Sequence, residues 1–138
     1  QKLPSSAALS LIHEYKLLTG ELSHRNIIKV LEQTVAYTNY FIMEMELGLE
    51  TLKQFQARVK LSEHQCAQIM KGIFSGLEYL HDCVNVIHRD LKPENIVIVD
   101  YDDLTTVKLI DFGLAVKSTK SSIQDYAKCG TLLYTLPE

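Results

Sequence analysis

The chain has 138 residues, 46% of them hydrophobic and 22% charged, the balance of one ordinary globular domain rather than a disordered tail or a fibre. Its formal net charge of −3 argues against nucleic acid or an anionic membrane as a partner, so neither is expected. Apolar runs fall far short of the ~18–20 residues that cross a bilayer, and no basic segment leads into an apolar stretch at the start. Cys66, Cys83 and Cys129 form no C-x-x-C pair, so reduced packing thiols in a cytoplasmic, intracellular setting are expected.

In chain order, Ala8, Leu11, Ile12, Tyr15, Leu18 and Leu22 recur with helical spacing. This predicts an amphipathic helix capped by Ser5 or Ser6 and closing near Gly20. "IIKVLEQTV" and "YFIMEM" are rich in β-branched and aromatic residues and are separated by "AYTN", which predicts a hairpin. "LGLETLKQF" begins a polar transition into a short helix. Ser62 and Gln65 then form a capping box, and Cys66, Ile69, Met70, Ile73, Phe74, Leu77 and Leu80 mark one face of a longer helix. His24, His64 and His81 read as capping or surface residues.

"VIHRDLKPENIVIVD" follows. Val86–Ile87 and Ile96–Val99 are strand signals, yet between them stand His88, Arg89, Asp90, Lys92, Glu94 and Asn95. A polar turn, "DYDDLTT", leads to the strand "VKLI", which ends at Asp111 and "DFG". The Ser-, Lys- and Thr-rich stretch from Lys117 to Asp125 reads as an exposed loop.

If these strands pair, Asn95 and Asp111 meet at the rim of a small sheet with Asp90 nearby. A carboxamide and a carboxylate form a hard-oxygen site suited to Mg²⁺. Two carboxylates about 4 Å apart repel by ~4 kcal/mol at intermediate dielectric, and a cation relieves that repulsion. Gly113 would let the backbone turn sharply after Asp111. Asp90 could accept a proton, and Lys92 could hold a phosphate oxygen as a point charge.

"HRDLKPEN", then "DFG" beginning twenty-one residues after Asp90, then "GTLLYTLPE", resemble the eukaryotic protein kinase family of the serine/threonine type. The resemblance implies an α+β, two-lobed kinase-like fold, present in part. Residues 1 to about 45 would be the end of the small lobe, with a helix and the hinge strand. Residues from about 46 to 138 would open the large lobe, with the catalytic and activation loops. It further implies ATP and Mg²⁺ as cofactors and Ser/Thr hydroxyls of a protein substrate as acceptors.

By resemblance, Asp90 is the catalytic base, Lys92 lies beside the transferred phosphate, and Asn95 and Asp111 bind the metal. Met43, Glu44, Met45 and Glu46 resemble the gatekeeper and hinge that bind adenine. Glu50 would lie near the ribose and Ile96 under the adenine ring. Glu14 resembles the helix glutamate that pairs with a strand lysine. Arg89 resembles the arginine that receives a phosphorylated loop, with Ser121, Ser122 or Thr119 as the sites, because Ala127 stands at the commonest position. His88 and Phe112 resemble members of an apolar stack between the lobes. Thr131 resembles the threonine beneath the substrate, and Glu138 a buried ion-pair glutamate.

Some features depart from the family pattern. No G-x-G-x-x-G loop and no strand lysine of the V-A-I-K type occur in these residues, "APE" reads "LPE", and Leu132 replaces the proline after Gly-Thr. The 138 residues alone are therefore expected to be inactive and marginally stable. A non-catalytic, partner-binding kinase-like fragment is the alternative.

Overall fold

The computed structural model describes residues 6–20, 22–31, 35–36 and 41–118. Ser5, Thr119, Ser121, Ser122, Ala127, Cys129, Thr131 and Glu138 lie outside the described residues.

Helix α1 (Ser6–Gly20) closes at its glycine, and the Leu22 amide bonds back to the Leu17 carbonyl at 3.1 Å. Among the described side chains of this helix, Leu17 and Leu18 are buried, while Leu11, Ile12 and Tyr15 are half-buried. Segment 27–31 lies between two partners, with Ile27 bridging Leu109 and Val30 bridging Met45. The expected hairpin is present: β1 (Val35–Ala36) pairs antiparallel with β2 (Phe41–Ile42).

The short helix α2 (Leu52–Arg58) follows β3 (Glu50–Thr51) and has its own capping box. Thr51 Oγ1 accepts the Gln54 amide at 3.2 Å, and Gln54 Oε1 accepts the Thr51 amide at 2.9 Å. Helix α3 (Glu63–Glu78) starts on the box formed by Ser62 and Gln65. Each such cap contributes about 1 kcal/mol. A π-helical turn, Tyr79–Cys83, ends α3 and buries Leu80 completely.

The core face of α3 differs from the expected one. Ile69, Gly72, Ile73 and Gly76 are buried, whereas Met70 and Phe74 are exposed. The glycines explain the shift. A Cβ on Gly72 would sit 2.5 Å from the Thr105 carbonyl oxygen, and one on Gly76 would sit 3.3 Å from the Asn26 Cβ. The helix thus sits close against the Thr105 carbonyl and the side chains of Asn26, Val107 and Leu109, where a Cβ has no room. The packing role expected of cysteine is also corrected: Cys66 and Cys83 are exposed thiols on turns of helix that face outward.

Two small sheets carry the polar cluster. β5 (Ile96–Ile98), buried at all three positions, lies between β3 and β6 (Lys108–Leu109). β4 (Val86–Ile87) pairs instead with β7 (Val116–Lys117). The two strand signals around the cluster therefore belong to different sheets, and residues 88–95 form the loop between them. Ile73, Leu80, Ile98, Leu104, Leu109 and Phe112 fill the core behind it.

Asn26 locks segment 22–31 onto this core. Its buried Nδ2 donates to the carbonyls of Thr105 and Val107, both at 2.8 Å, and its own carbonyl accepts the Leu109 amide at 2.9 Å.

Gly72→Ala is expected to destabilise the chain by about 1–3 kcal/mol through overpacking. Gly20→Ala, whose Cβ meets nothing within 4 Å, should stabilise it by ~0.5–1 kcal/mol. Urea unfolding midpoints check both.

Candidate active site

The loop after β4 turns at Arg89, which holds a left-handed φ of 67°. Such a conformation costs an L-residue with a Cβ about 1–2 kcal/mol and persists only where the surroundings fix it. His88 supplies part of that fixing. Its Nδ1 accepts the Asp90 amide at 3.3 Å, so Nε2 carries the proton and donates to the Ile110 carbonyl at 3.0 Å. Burial holds its pKa below the ordinary histidine value, which keeps this neutral tautomer.

Asp90 is buried, and its Oδ2 accepts Lys92 Nζ at 2.6 Å and Asn95 Nδ2 at 3.0 Å. The same Nδ2 also donates to the Asp90 carbonyl at 2.9 Å. The bond to Asp90 raises the Lys92 pKa above the ordinary lysine value, so the ammonium stays charged. With the Asn95 nitrogen spent on Asp90, its carbonyl oxygen is the group suited to a cation.

Asp111 reaches this cluster through the β5–β6 ladder. Ile96 faces Leu109, and one step beyond, the Ile110 amide donates to the Asn95 carbonyl at 3.0 Å. The expectation that Gly113 makes the sharp turn is corrected: Asp111 itself takes the left-handed φ of 63°, and Gly113 does not. Gly113 is needed for room instead, since a Cβ there would lie 3.3 Å from Asp111 Oδ1.

The turn after Asp111 is gripped from two sides. From the loop, Arg89 Nε donates to the Leu114 carbonyl at 2.7 Å, and the rings of His88 and Phe112 meet with centroids 4.8 Å apart. The two rings meet at a tilt of 53°. From α1, the Glu14 carboxylate accepts the Phe112 amide at 3.0 Å. Burial pushes the Glu14 pKa above the usual carboxylate value, and the Phe112 amide offsets part of that.

Residues assigned to nucleotide lie further along. The Leu31 amide donates to the Glu44 carbonyl at 2.8 Å, and the Glu46 amide donates to the Lys29 carbonyl at 3.0 Å. Strand pairing therefore occupies two backbone groups of the segment that the resemblance assigns to the hinge. By the alternation of an antiparallel bridge, Met45 turns its own N–H and C=O the other way. The Glu46 carboxylate binds Lys108 at 2.8 Å, and Met43 is half-buried against the core. Glu50 is held by Arg58 and by the Tyr101 hydroxyl at 2.7 Å, which keeps its pKa below the carboxylate range. Ile96 is buried on β5.

Among the described residues, no three His, Cys, Asp or Glu form a metal cage. One carboxylate and one amide oxygen fit Mg²⁺, which keeps water and phosphate ligands. Sequence reasoning gave no role to Asn26, to His13, or to Tyr79, whose hydroxyl accepts the Ser23 amide at 2.9 Å. The signal for His13 was its place with Ser10 and Glu14 on one polar stripe of an amphipathic helix.

A mixed helix-and-sheet architecture with this acid–lysine–amide loop beside an Asp-Phe-Gly turn defines a partial protein kinase fold. Residues 3–138 match the protein kinase domain family, and the chain belongs to that family. It is 38% identical over 125 residues to calcium-dependent protein kinase 5 of Plasmodium berghei (strain Anka), covering 88% of this chain and 22% of that one. It is 33% identical over 118 residues to human ribosomal protein S6 kinase alpha-4, covering 84% and 15%. It is 36% identical over 122 residues to a probable serine/threonine-protein kinase, fhkD, of Dictyostelium discoideum, covering 86% and 16%. The chain thus spans under a quarter of the length of these curated relatives. A chain in the crystal structure of the yeast RNA Pol II CTD kinase CTDK-1 complex superposes with a TM-score of 0.68 at 29% identity, covering 87% of this chain and 37% of that one. Protein kinases in general use ATP and Mg²⁺.

Glu14 gives the site a pH signature. Below its ordinary value of 4.5 the carboxyl is neutral, folded or unfolded, and burial carries no charge penalty. As pH rises past that value the unfolded chain ionises first, so stability falls until the raised folded value is passed. Glu14→Gln keeps an acceptor for the Phe112 amide. It should unfold at higher urea than the parent near about pH 7 and at nearly the same urea near about pH 4. Urea midpoints at the two pH values check this.

Proposed function

We propose that this chain is part of a kinase that transfers the γ-phosphoryl group of ATP to Ser or Thr hydroxyls of proteins. The observation that carries the reading is the Asp90 carboxylate. It is buried and bonded to Lys92 and Asn95, and the Asn95 backbone carbonyl accepts the amide of Ile110, next to Asp111.

In this reading the substrate oxygen bonds to the γ-phosphorus, the bond to the β–γ bridging oxygen breaks, and ADP leaves. The hydroxyl proton passes to Asp90. Lys92, already beside Asp90, faces the phosphate as its negative charge redistributes. Asn95 and Asp111 hold Mg²⁺, which when bound neutralises charge on the phosphate oxygens. Little covalent work falls to the protein, so rate comes from positioning and charge stabilisation.

Several further roles belong to the same reading. Residues 1 to about 45 end the small lobe, the remainder begins the large lobe, and ATP lies between them beside Met43 to Glu46, Glu50 and Ile96. Ser/Thr specificity is supported by Lys92 and by the named serine/threonine kinase among the relatives. Arg89, whose Nε steadies the Leu114 carbonyl, is the receiver for phosphate at Ser121 or Ser122, and Thr131 supports the substrate. No helix among the described residues is long and apolar enough to cross a membrane, and the exposed thiols of Cys66 and Cys83 suit a reducing cytoplasm.

A second reading, partner binding without turnover, is favoured by one observation: the Glu44 carbonyl and the Glu46 amide are paired with segment 27–31. Titration of the full-length protein with Mg²⁺-ATP separates the two, because the second reading expects no binding.

Asp90→Asn and Asp111→Ala in the full-length protein should each lower phosphoryl transfer at least ~10²-fold while circular dichroism stays unchanged. Near-normal turnover by either folded variant refutes the assignment. Phosphoamino-acid analysis should return phosphoserine and phosphothreonine, and a product dominated by phosphotyrosine refutes the specificity.

A further inference from the structure

Three residues of one α1 face lie over the Asp111 turn. Ser10, His13 and Glu14 stand at i, i+3 and i+4, so they share that face. Ser10 Cβ is 3.6 Å from where a Gly113 Cβ would be. Glu14 accepts the Phe112 amide at 3.0 Å, and His13 Nε2 meets the Ala115 carbonyl at 2.7 Å. A carbonyl only accepts, so Nε2 carries the proton and donates.

These two bonds take opposite ends of one turn, which closes on itself through the Ala115 amide and the Phe112 carbonyl at 3.0 Å. The Ala115 methyl is buried in the core, and its carbonyl points to His13 on α1. On the far side, Arg89 holds the Leu114 carbonyl. Residues 112–115 are therefore fixed between α1 and the loop after β4, and Asp111, in a left-handed conformation, is the residue that this fixing orients. With Glu14 alone, the turn could pivot about the Phe112 amide. His13 adds the second point that stops the pivot.

We propose that His13 is a positioning residue for Asp111. Its Nε2–H bond to Ala115 forms, with Glu14, a two-point clasp that sets the Asp111 carboxylate for metal. This rests on the reading of Asp111 as a Mg²⁺ ligand.

The test uses the full-length protein with His13→Ala, His13→Gln and His13→Asn, and Asp111→Ala beside them. Glutamine places an N–H donor at the reach of Nε2, whereas asparagine reaches only as far as Nδ1. His13→Ala and His13→Asn should lower kcat about tenfold, the effect of one well-placed hydrogen bond, and raise the Mg²⁺ needed for half-maximal rate. The KM for protein substrate and the melting temperature should not move. His13→Gln should come within about threefold of the parent. Amide exchange at Phe112 and Ala115 should quicken in the Ala and Asn variants and not in Gln, a readout independent of turnover. Equal behaviour of all three variants in rate, Mg²⁺ dependence and exchange overturns the proposal. If Asp111→Ala keeps its activity, the metal-ligand reading fails by itself, and the exchange data still judge the clasp.

Discussion

The buried amide of Asn26 is the constraint on which the other parts depend. Its side chain holds two carbonyls of the segment before β6, and its own carbonyl joins the β6 ladder at Leu109. Because β6 runs directly into Ile110 and Asp111, whatever fixes β6 also fixes the Asp111 turn. Gly76 of α3 packs against the same asparagine. One side chain thus sets the relative height of helix α3, segment 22–31 and the strand that delivers Asp111. A buried amide left unpaired costs about 1–3 kcal/mol per group, so slipping this register is unfavourable in several places at once.

The site itself is made of backbone held under strain. Arg89 and Asp111 both carry left-handed φ values, and each lies one residue from a ring of the His88–Phe112 pair. The core behind them is apolar, and close packing makes such a core a stiff support. Hydrogen bonds from His88 and Arg89 then hold the Ile110 and Leu114 carbonyls, so the strained residues have few alternatives. The polar groups at the rim are positioned by a core that lies behind them.

Much of this was legible in the residues. The Ser62 box, the hairpin and the loop from His88 to Asn95 were readable because each rests on local rules of capping, alternation and motif spacing. Other features depend on contacts far apart in the chain. The buried face of α3 was misjudged because Gly72 and Gly76 carry no hydropathy signal, yet their lack of a Cβ is what seats the helix. The source of the turn was misplaced because glycine is the default guess for a left-handed residue, whereas here tertiary bonds force it on an aspartate. His13 had no local signature other than its place on the polar stripe of an amphipathic helix. Segment 27–31 took the Glu44 and Glu46 backbone groups through strand register, which residue identity does not specify.

The clasp between α1 and the Asp111 turn spans 98 residues for Glu14 and 102 for His13. Closing a loop of that length is entropically costly, so such contacts form late, after local elements such as α3 and its capping box. Synthesis sets the same order, because the amino-terminal part of a chain emerges first. Helix α1 is therefore complete in sequence about a hundred residues before the turn that receives its polar face has been made. Until then the buried leucines of α1 and the stripe around Glu14 lack their final neighbours. The Asp111 turn and the helix that steadies it thus come together in one of the last steps of folding.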